Sequence, residues 1–387
     1  MPFLKNLTLA IFICSMGPSA LADMPPRTSS QGWDAASYGF RKNAKVGILN
    51  ASNQASELSI ASPPIAKEML PDELIKSIDS IISLDKTRIF LASVNRKIII
   101  ERYASSWLKQ TTPLGYSMSK SLTSLAFGKL MCKYQNINLK TKGYEIIPDF
   151  KNTSWGNSEI SHILNMMSGS SNSPPPYTGW QSESVGSKHR GIYDGSNNID
   201  LIKEMISDDA KTHAPGSSFQ YNNYDTLFLG LLIEEISKKP FHQFFDEEIW
   251  RDVNSKNSGG WLINRNGNTY TAMGFSASPE DWLRIGHYVI DSSKKDDCFG
   301  NYIKTAIQTM EKTHVSSMCY GFQIWNFCRP GLFHFWGFGG QHLVMNPNKN
   351  SVIYTHSAIQ ADDSGAEANL FRLLGLITRS IPTRTSN

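Results

Sequence analysis

The chain has 387 residues, 40% hydrophobic and 19% charged, with a formal net charge of +4 at neutral pH. That is long and apolar enough to bury a substantial core, in one large domain or two interleaved ones. The positive charge is small and dispersed, and no Lys/Arg cluster is interleaved with aromatics, which excludes nucleic acid as a partner.

Lys5 precedes an apolar stretch over residues 7–16, followed by Gly17-Pro18 and Ser19-Ala20-Leu21-Ala22. This is the arrangement of a secretory signal peptide, residues 1–22, and predicts an exported protein, periplasmic or secreted. The apolar run is about half the roughly 20 residues that span a bilayer. No later stretch is long and apolar enough, so no membrane span is expected. Residues 23–53, with Pro25-Pro26, read as an extended polar lead-in.

The spacing of Leu74, Ile75, Ile78, Ile81 and Ile82 behind Pro71-Asp72-Glu73 predicts an amphipathic helix over 70–84. Two β-rich runs, 89–94 and 97–103, meet at Asn95-Arg96 and predict a hairpin. A helix opens at Ser117. From 136 to 252 short helices (159–167, 199–206, 225–237) alternate with Gly-, Ser- and Pro-rich loops. Strand character returns at 319–327 and 332–336, flanking the turn Cys328-Arg329-Pro330-Gly331, and again at 351–357 before a closing helix over 366–378. The pattern predicts an α+β fold in which residues 54–135 and 265–387 form one antiparallel sheet flanked by helices. Residues 136–264 would be an inserted, mostly helical lobe, with a site in the cleft between the two.

Chemistry concentrates at Ser117-Met118-Ser119-Lys120. A helix starting here puts Lys120 one turn from Ser117 on the same face. A lysine with a lowered pKa can take the serine proton, and the helix N-terminus offers N–H groups to an oxyanion. An ordinary helix-capping serine is the competing reading. The same tetrapeptide spacing at Ser83, Ser106 and Ser292 opens no strong apolar helix. Tyr221 and Asn223 follow the turn His213-Ala214-Pro215-Gly216. A tyrosinate, or a tyrosine bonded to Lys120, can relay a proton, and Asn223 can hold the lysine or a substrate amide; a structural tyrosine is the alternative. In Trp336-Gly337-Phe338-Gly339-Gly340-Gln341, glycine lets the backbone approach a ligand closely. No metal-ligand spacing occurs, and neither metal nor cofactor is expected.

The ordered set of motifs resembles the serine β-lactamase and penicillin-binding-protein family, specifically its class C-like branch, which includes esterases and 6-aminohexanoate-dimer hydrolases. It runs from about Trp33 to the end. It takes in Glu101-Arg102-Tyr103, the serine–lysine helix, Ile137-Asn138-Leu139 and Ile147-Pro148-Asp149. It continues through 160–169, Tyr221-Asn222-Asn223 and Gly337-Phe338-Gly339-Gly340-Gln341 before Asn346-Pro347. The resemblance implies a β-lactamase/transpeptidase-like fold, Ser117 as nucleophile, Lys120 as its activator and Tyr221 as general acid/base. It further implies an oxyanion hole from the N–H groups of Ser117 and Phe338. One departure matters: the family's late-strand K-T-G or H-x-G aligns with Phe335-Trp336-Gly337, which has no cation, and His334 falls on the opposite face. That favours a small-molecule ester or uncharged amide over penicillin-like substrates. Trp336, Gly337, Phe338 and Asn223 are expected to contact it; Tyr177, Trp180, Tyr193 and Asp194, in the loop-rich helical lobe, either help to cover it or are surface side chains of a loose loop. A β-lactamase or D-alanyl peptidase, and a non-catalytic binding protein retaining the fold, are the alternatives; the oligomeric state is not legible.

Four cysteines follow the leader. A continuous strand over 319–327 would hold Cys319 and Cys328 roughly 30 Å apart, far beyond disulfide reach. Cys298 is then the only partner for either, and Cys132 is expected as a buried free thiol.

Overall fold

Central strands that are buried on both faces need helices on both faces, and the chain supplies them from its two ends. The computed structural model describes residues 45–62, 68–83, 87–171, 200–314, 318–328, 331–359 and 364–383. The strands are β1 (Lys45–Leu49), β2 (Ser59–Ile60), β3 (Thr87–Val94), β4 (Lys97–Tyr103), β5 (Ser170–Ser171), β6 (Ala210–Lys211), β7 (Gly259–Ile263) and β8 (Phe275–Ser276). They continue as β9 (Glu311–Lys312), β10 (Cys319–Gly321), β11 (Ile324–Asn326), β12 (Phe333–Gly337), β13 (Gln341–Asn346) and β14 (Ser351–Ser357). The helices used below are α1 (Asp72–Ser83), α2 (Met118–Lys133), α3 (Ile160–Leu164), α4 (Leu201–Ser207), α5 (Asn223–Ser237), α6 (Pro279–Ser293), α7 (Cys298–Gln308) and α8 (Ser364–Ser380).

The main sheet has nine strands in the order β2-β4-β3-β14-β13-β12-β11-β10-β9, antiparallel except for the short β2–β4 pair. β14 pairs with β3, from Ser351 opposite Val94 to Thr355 opposite Phe90, so the C-terminal part of the chain completes the N-terminal hairpin. That hairpin turns on Asn95 (φ +50°) and Arg96 (φ +61°), the two left-handed residues that match the twist of adjacent strands. Alternation along β3 then sorts its side chains. Phe90, Ala92 and Val94 pack with Ile78 of α1 and Leu370, Leu374 and Ile377 of α8. Ile89 and Leu91 join the larger core on the other face with Leu122, Leu125, Trp282 and Tyr354. There α6 lies so close to the sheet that a Cβ on Gly286 would sit 2.4 Å from Val352 Cγ1.

The helix α2 runs through the middle of the molecule and is buried on nearly every side, polar residues included. It packs on α5 and α7. A second, three-stranded sheet, β1-β7-β8, closes the far side of this helical region. It lies partly in the stretch expected to be lead-in and partly in the stretch expected to be helical. The loop between β7 and β8, residues 264–274, returns to α2 and reaches the site.

The α+β expectation holds, as do the early helix, both hairpin strands, the 351–357 strand and the closing helix. The helix expected over 159–167 is shorter, ending at Leu164. The strand expected over 319–327 is wrong. It is two three-residue strands, β10 and β11, folded back at Phe322 (φ +48°) and Gln323 (φ +63°), so that Cys319 pairs with Asn326. Neither turn residue is a glycine, proline or asparagine, and the flanking apolar run hides the bend.

The correction extends to the cysteines. The hairpin brings Cys319 and Cys328 to a Cα separation of 4.9 Å, and they are disulfide-bonded. Cys132, expected as a free thiol, is bonded to Cys298, because α7 packs on the end of α2 with the two Cα atoms 5.7 Å apart. Non-reducing peptide mapping is expected to recover both pairs. A loop spanning 166 residues restricts the unfolded chain more than one spanning 9. Removing Cys132–Cys298 should therefore cost roughly 5 kcal/mol and removing Cys319–Cys328 roughly 2.5 kcal/mol, read from denaturant unfolding.

Candidate active site

The turn ahead of α2 is anchored to β8. Gly115 N donates to Phe275 O at 2.8 Å, and Phe275 N donates to Ser119 Oγ at 3.0 Å. Between these anchors Tyr116 is held at φ +47°, a left-handed conformation unusual for a bulky residue, and Ser117 follows at φ −65°, ψ −7°. Ser117 is thereby delivered to the first turn of the helix. Among the described residues its N–H takes no backbone acceptor.

Lys120 is only 1% exposed. Its Nζ lies 3.1 Å from Ser117 Oγ and donates to Asn223 Oδ1 at 2.7 Å and to Ala272 O at 3.0 Å. Burial pushes its pKa well below the ordinary lysine value of 10.5. A neutral amine has two N–H bonds and one lone pair. With the two N–H groups spent on carbonyl oxygens, the lone pair is left for Ser117, whose Oγ–H can donate to it.

Tyr221 sits one residue before the N-cap of α5, where Asn222 Oδ1 accepts from Asp225 N at 2.7 Å. The loop ahead of it is fastened to the segment after α3: Gly216 N donates to Met167 O, and Gln220 N donates to Met166 O. The Tyr221 hydroxyl hydrogen-bonds with Ser117, and desolvation raises its pKa above the ordinary 10. A tyrosinate is therefore disfavoured. The phenol also bonds Ser117, while Lys120 Nζ lies over the tyrosine ring at 5.1 Å from its centroid. An ammonium formed there would meet the ring's negative face.

β12 ends beside the turn that carries Ser117. A Cβ on Gly337 would lie 2.2 Å from Gly115 O, so only glycine fits this approach. The next ring, Phe338, stands edge-on to Tyr116 at 5.9 Å. Gln341 Nε2 fixes this bend by donating to Phe338 O, Gly339 O and Ser357 O. No backbone acceptor is recorded for Phe338 N–H among the described residues. Trp336 points to the other side of the strand. Its Nε1 donates to Glu367 Oε1 at 3.0 Å, and Trp325 stands between it and Tyr221, 5.3 Å from Trp336 and 5.6 Å from Tyr221. His334 is on that face too, fully buried against Phe327 and bonded to His342 at 2.8 Å, and burial lowers its pKa well below 6.5. It presents no cation to Ser117.

The structure thus brings together Ser117, Lys120, Tyr221 and Asn223, with Gly337 and Phe338 alongside. Tyr177, Trp180, Tyr193 and Asp194 lie outside the described residues. Sequence reasoning missed the Ala272 carbonyl, the strained Tyr116, and the rings of Tyr320 and Trp325 that stand against Tyr221. A backbone carbonyl brought in from 152 residues away leaves no signal in residue identity.

A serine–lysine helix running between a two-faced sheet and a helical region, with a tyrosine closing on the serine, is the arrangement of the β-lactamase fold. A family model described as Beta-lactamase matches residues 90–376, and the chain belongs to that family. Its structure is similar to a putative 6-aminohexanoate-dimer hydrolase from Bacillus anthracis, with a TM-score of 0.71 and 16% identity, covering 89% of this chain and 95% of that one. It is also similar to EstCE1, a hydrolase with promiscuous acyltransferase activity, with a TM-score of 0.59 and 15% identity over 80% and 98% of the two chains. In sequence, 142 residues are 25% identical to Protein flp of Staphylococcus aureus strain MW2, 37% of this chain and 26% of that protein. The chain therefore matches about a quarter of that relative's length.

The lysine environment has a testable consequence. Asn223→Asp would place a carboxylate on Lys120 Nζ and favour the ammonium, raising the lysine pKa by roughly 1–3 units. The rise of kcat/KM with pH should move alkaline by that amount, with little activity left at pH 7, in a pH profile on a chromogenic ester.

Proposed function

We propose that the protein is an exported serine hydrolase that cleaves ester or uncharged amide bonds through an acyl-enzyme on Ser117. One observation carries the proposal: a buried Lys120, without a charged partner among the described residues, whose two carbonyl acceptors leave its lone pair to Ser117. As Ser117 Oγ bonds the substrate carbonyl carbon, its proton passes to Lys120. The oxyanion is received by the N–H groups of Ser117 and Phe338, at the start of α2 and the end of β12. Collapse breaks the bond to the leaving alcohol or amine, which takes a proton from Tyr221, resupplied from the Lys120 ammonium. Water then attacks the acyl carbon and the same groups run in reverse. The raised Tyr221 pKa and lowered Lys120 pKa support a reading in which the phenol is the acid and the amine the base.

The substrate class rests on the neutral late strand. Phe335 and Trp336 are uncharged and burial keeps His334 neutral, so β12 offers no cation to a substrate carboxylate. The half-buried rings of Phe219, Tyr221 and Phe338 suit an uncharged acyl or leaving group. Export is supported by two disulfides, which persist in oxidising compartments, and by the leader-like residues 1–22.

Ser117→Ala should lower kcat/KM on a short-chain chromogenic ester by at least roughly 10³-fold and abolish labelling by a fluorophosphonate. A parent-like rate would remove Ser117 from the mechanism. For the parent enzyme, kcat/KM should rise with pH through a value well below 10.5 and show no decline from Tyr221 ionisation below about pH 10. Penicillins and cephalosporins should be far poorer substrates than short esters; efficient cephalosporin turnover would place the protein with the β-lactamases instead.

A further inference from the structure

Gln323 is a non-glycine residue at φ +63°, next to Phe322 at φ +48°, at the tip of the β10–β11 hairpin. Such conformations persist in bulky residues only when the surroundings over-determine them, and they concentrate at functional sites. Gln323 is only 1% exposed. Its backbone N donates to Leu164 O at 2.8 Å, and its carbonyl accepts from Ser121 Oγ at 2.6 Å. Its Nε2 donates to Ile163 O and Leu164 O at 3.0 and 3.2 Å, while Oε1 accepts from Thr226 Oγ1 at 2.7 Å. The three segments it joins are those that carry the proposed chemistry. Ser121 adjoins Lys120 on α2, Thr226 lies one turn past Asn223 on α5, and Leu164 precedes the Met166–Met167 segment that holds the Tyr221 loop. The hairpin it anchors is stapled by Cys319–Cys328 and presents Tyr320 and Trp325 to the ring of Tyr221, at 5.9 and 5.6 Å.

We propose that Gln323 is a positioning residue for the reaction: its side chain locks the hairpin tip between α2, α3 and α5, and so holds the Tyr320–Trp325 wall against Tyr221. Only an amide serves here. The site needs a donor to two carbonyls and an acceptor for a hydroxyl on one flat group; glutamate is acceptor-only and would face those carbonyls with like polarity. Loosening the wall would let Tyr221 move off Ser117 and let water reach Lys120. Among the described residues, the titratable groups around that amine and the wall are Tyr221, Tyr320 and Asp225. Burial raises both phenols and pushes the Asp225 carboxyl up to about 7. The Asn223→Asp profile marks which limb belongs to Lys120.

The inference rests on the serine-hydrolase reading, and the test separates the two. Gln323→Gly accepts the left-handed backbone and removes only the side chain. It should lower kcat on a short ester by roughly tenfold to a hundredfold, the cost of a small misplacement of reacting groups. KM should stay within about threefold, and the acid limb of kcat/KM should move alkaline as Lys120 regains water. Thr226→Val, nearly isosteric, removes one bond to Oε1 and should move kcat and the acid limb the same way by less; it carries the test alone should Gln323→Gly not fold. Gln323→Asn, one methylene short, should not rescue. Parent-like kcat and pH profile in folded Gln323→Gly, or in Thr226→Val where that stands alone, would overturn the proposal while Ser117 labelling remains. Absence of Ser117 labelling in the parent would instead overturn the serine-hydrolase reading.

Discussion

A lysine amine enclosed in protein, with no carboxylate partner among the described residues, governs the rest of the site. Keeping an unpaired ammonium out of water costs several kcal/mol, so burial shifts the group toward the neutral amine, whose N–H bonds are met by acceptors that carry no charge. Asn223 and Ala272 meet that need, from positions 103 and 152 residues away in the chain. Three remote segments must therefore converge before Lys120 can be buried at all. The start of α5, the loop between β7 and β8, and the body of α2 are assembled by the same packing that forms the main core. Stability and reactivity share one cause here: the environment that pushes the amine toward its neutral form also leaves its lone pair against Ser117.

Backbone strain collects around that point. Tyr116, Met166, Phe322 and Gln323 all hold left-handed conformations without being glycine. Each is tied down by contacts that cross between elements. Met166 takes Gln220 N on its carbonyl and Asn222 N near its sulfur, and Phe322 N donates to Asn165 Oδ1. Behind them the sheet is stiff, since β3, β13 and β14 are buried on both faces. A rigid sheet and a ring of over-determined turns hold side chains to fractions of an ångström, which positioned proton transfer requires.

The face of the sheet beyond Ser117 is an aromatic sector without a cation. His334 and His342 share a hydrogen bond and are both kept neutral by burial, and the carboxyl of Glu367, held by the Trp336 indole, is pushed up to about 7. Charge has been withdrawn from both faces of β12. The electrostatics beside Ser117 are thus set by dipoles, the helix N-terminus and backbone N–H groups, rather than by ionised side chains.

Much of this was legible in the residues. The Asn95-Arg96 hairpin, the amphipathic α1 and α8, and the helix opening at Ser117 follow from local periodicity and turn chemistry, which act over a few residues and leave their pattern in the chain. The spacing of Ser117 and Lys120 is likewise a local property of one helical turn, and the tyrosine before α5 was visible beside its capping asparagine. What only the tertiary structure decided was set by contacts between distant segments. The bend at Phe322-Gln323 needs bonds from Ser121, Leu164 and Thr226 to hold two bulky residues left-handed, so an apolar run that reads as one strand folds into two. That bend made the Cys319–Cys328 bond, and the docking of α7 on α2 made the other. The lowered pKa of Lys120 and the carbonyl of Ala272 that accepts from it belong to no local pattern, because burial and backbone acceptors exist only once the chain has closed around them.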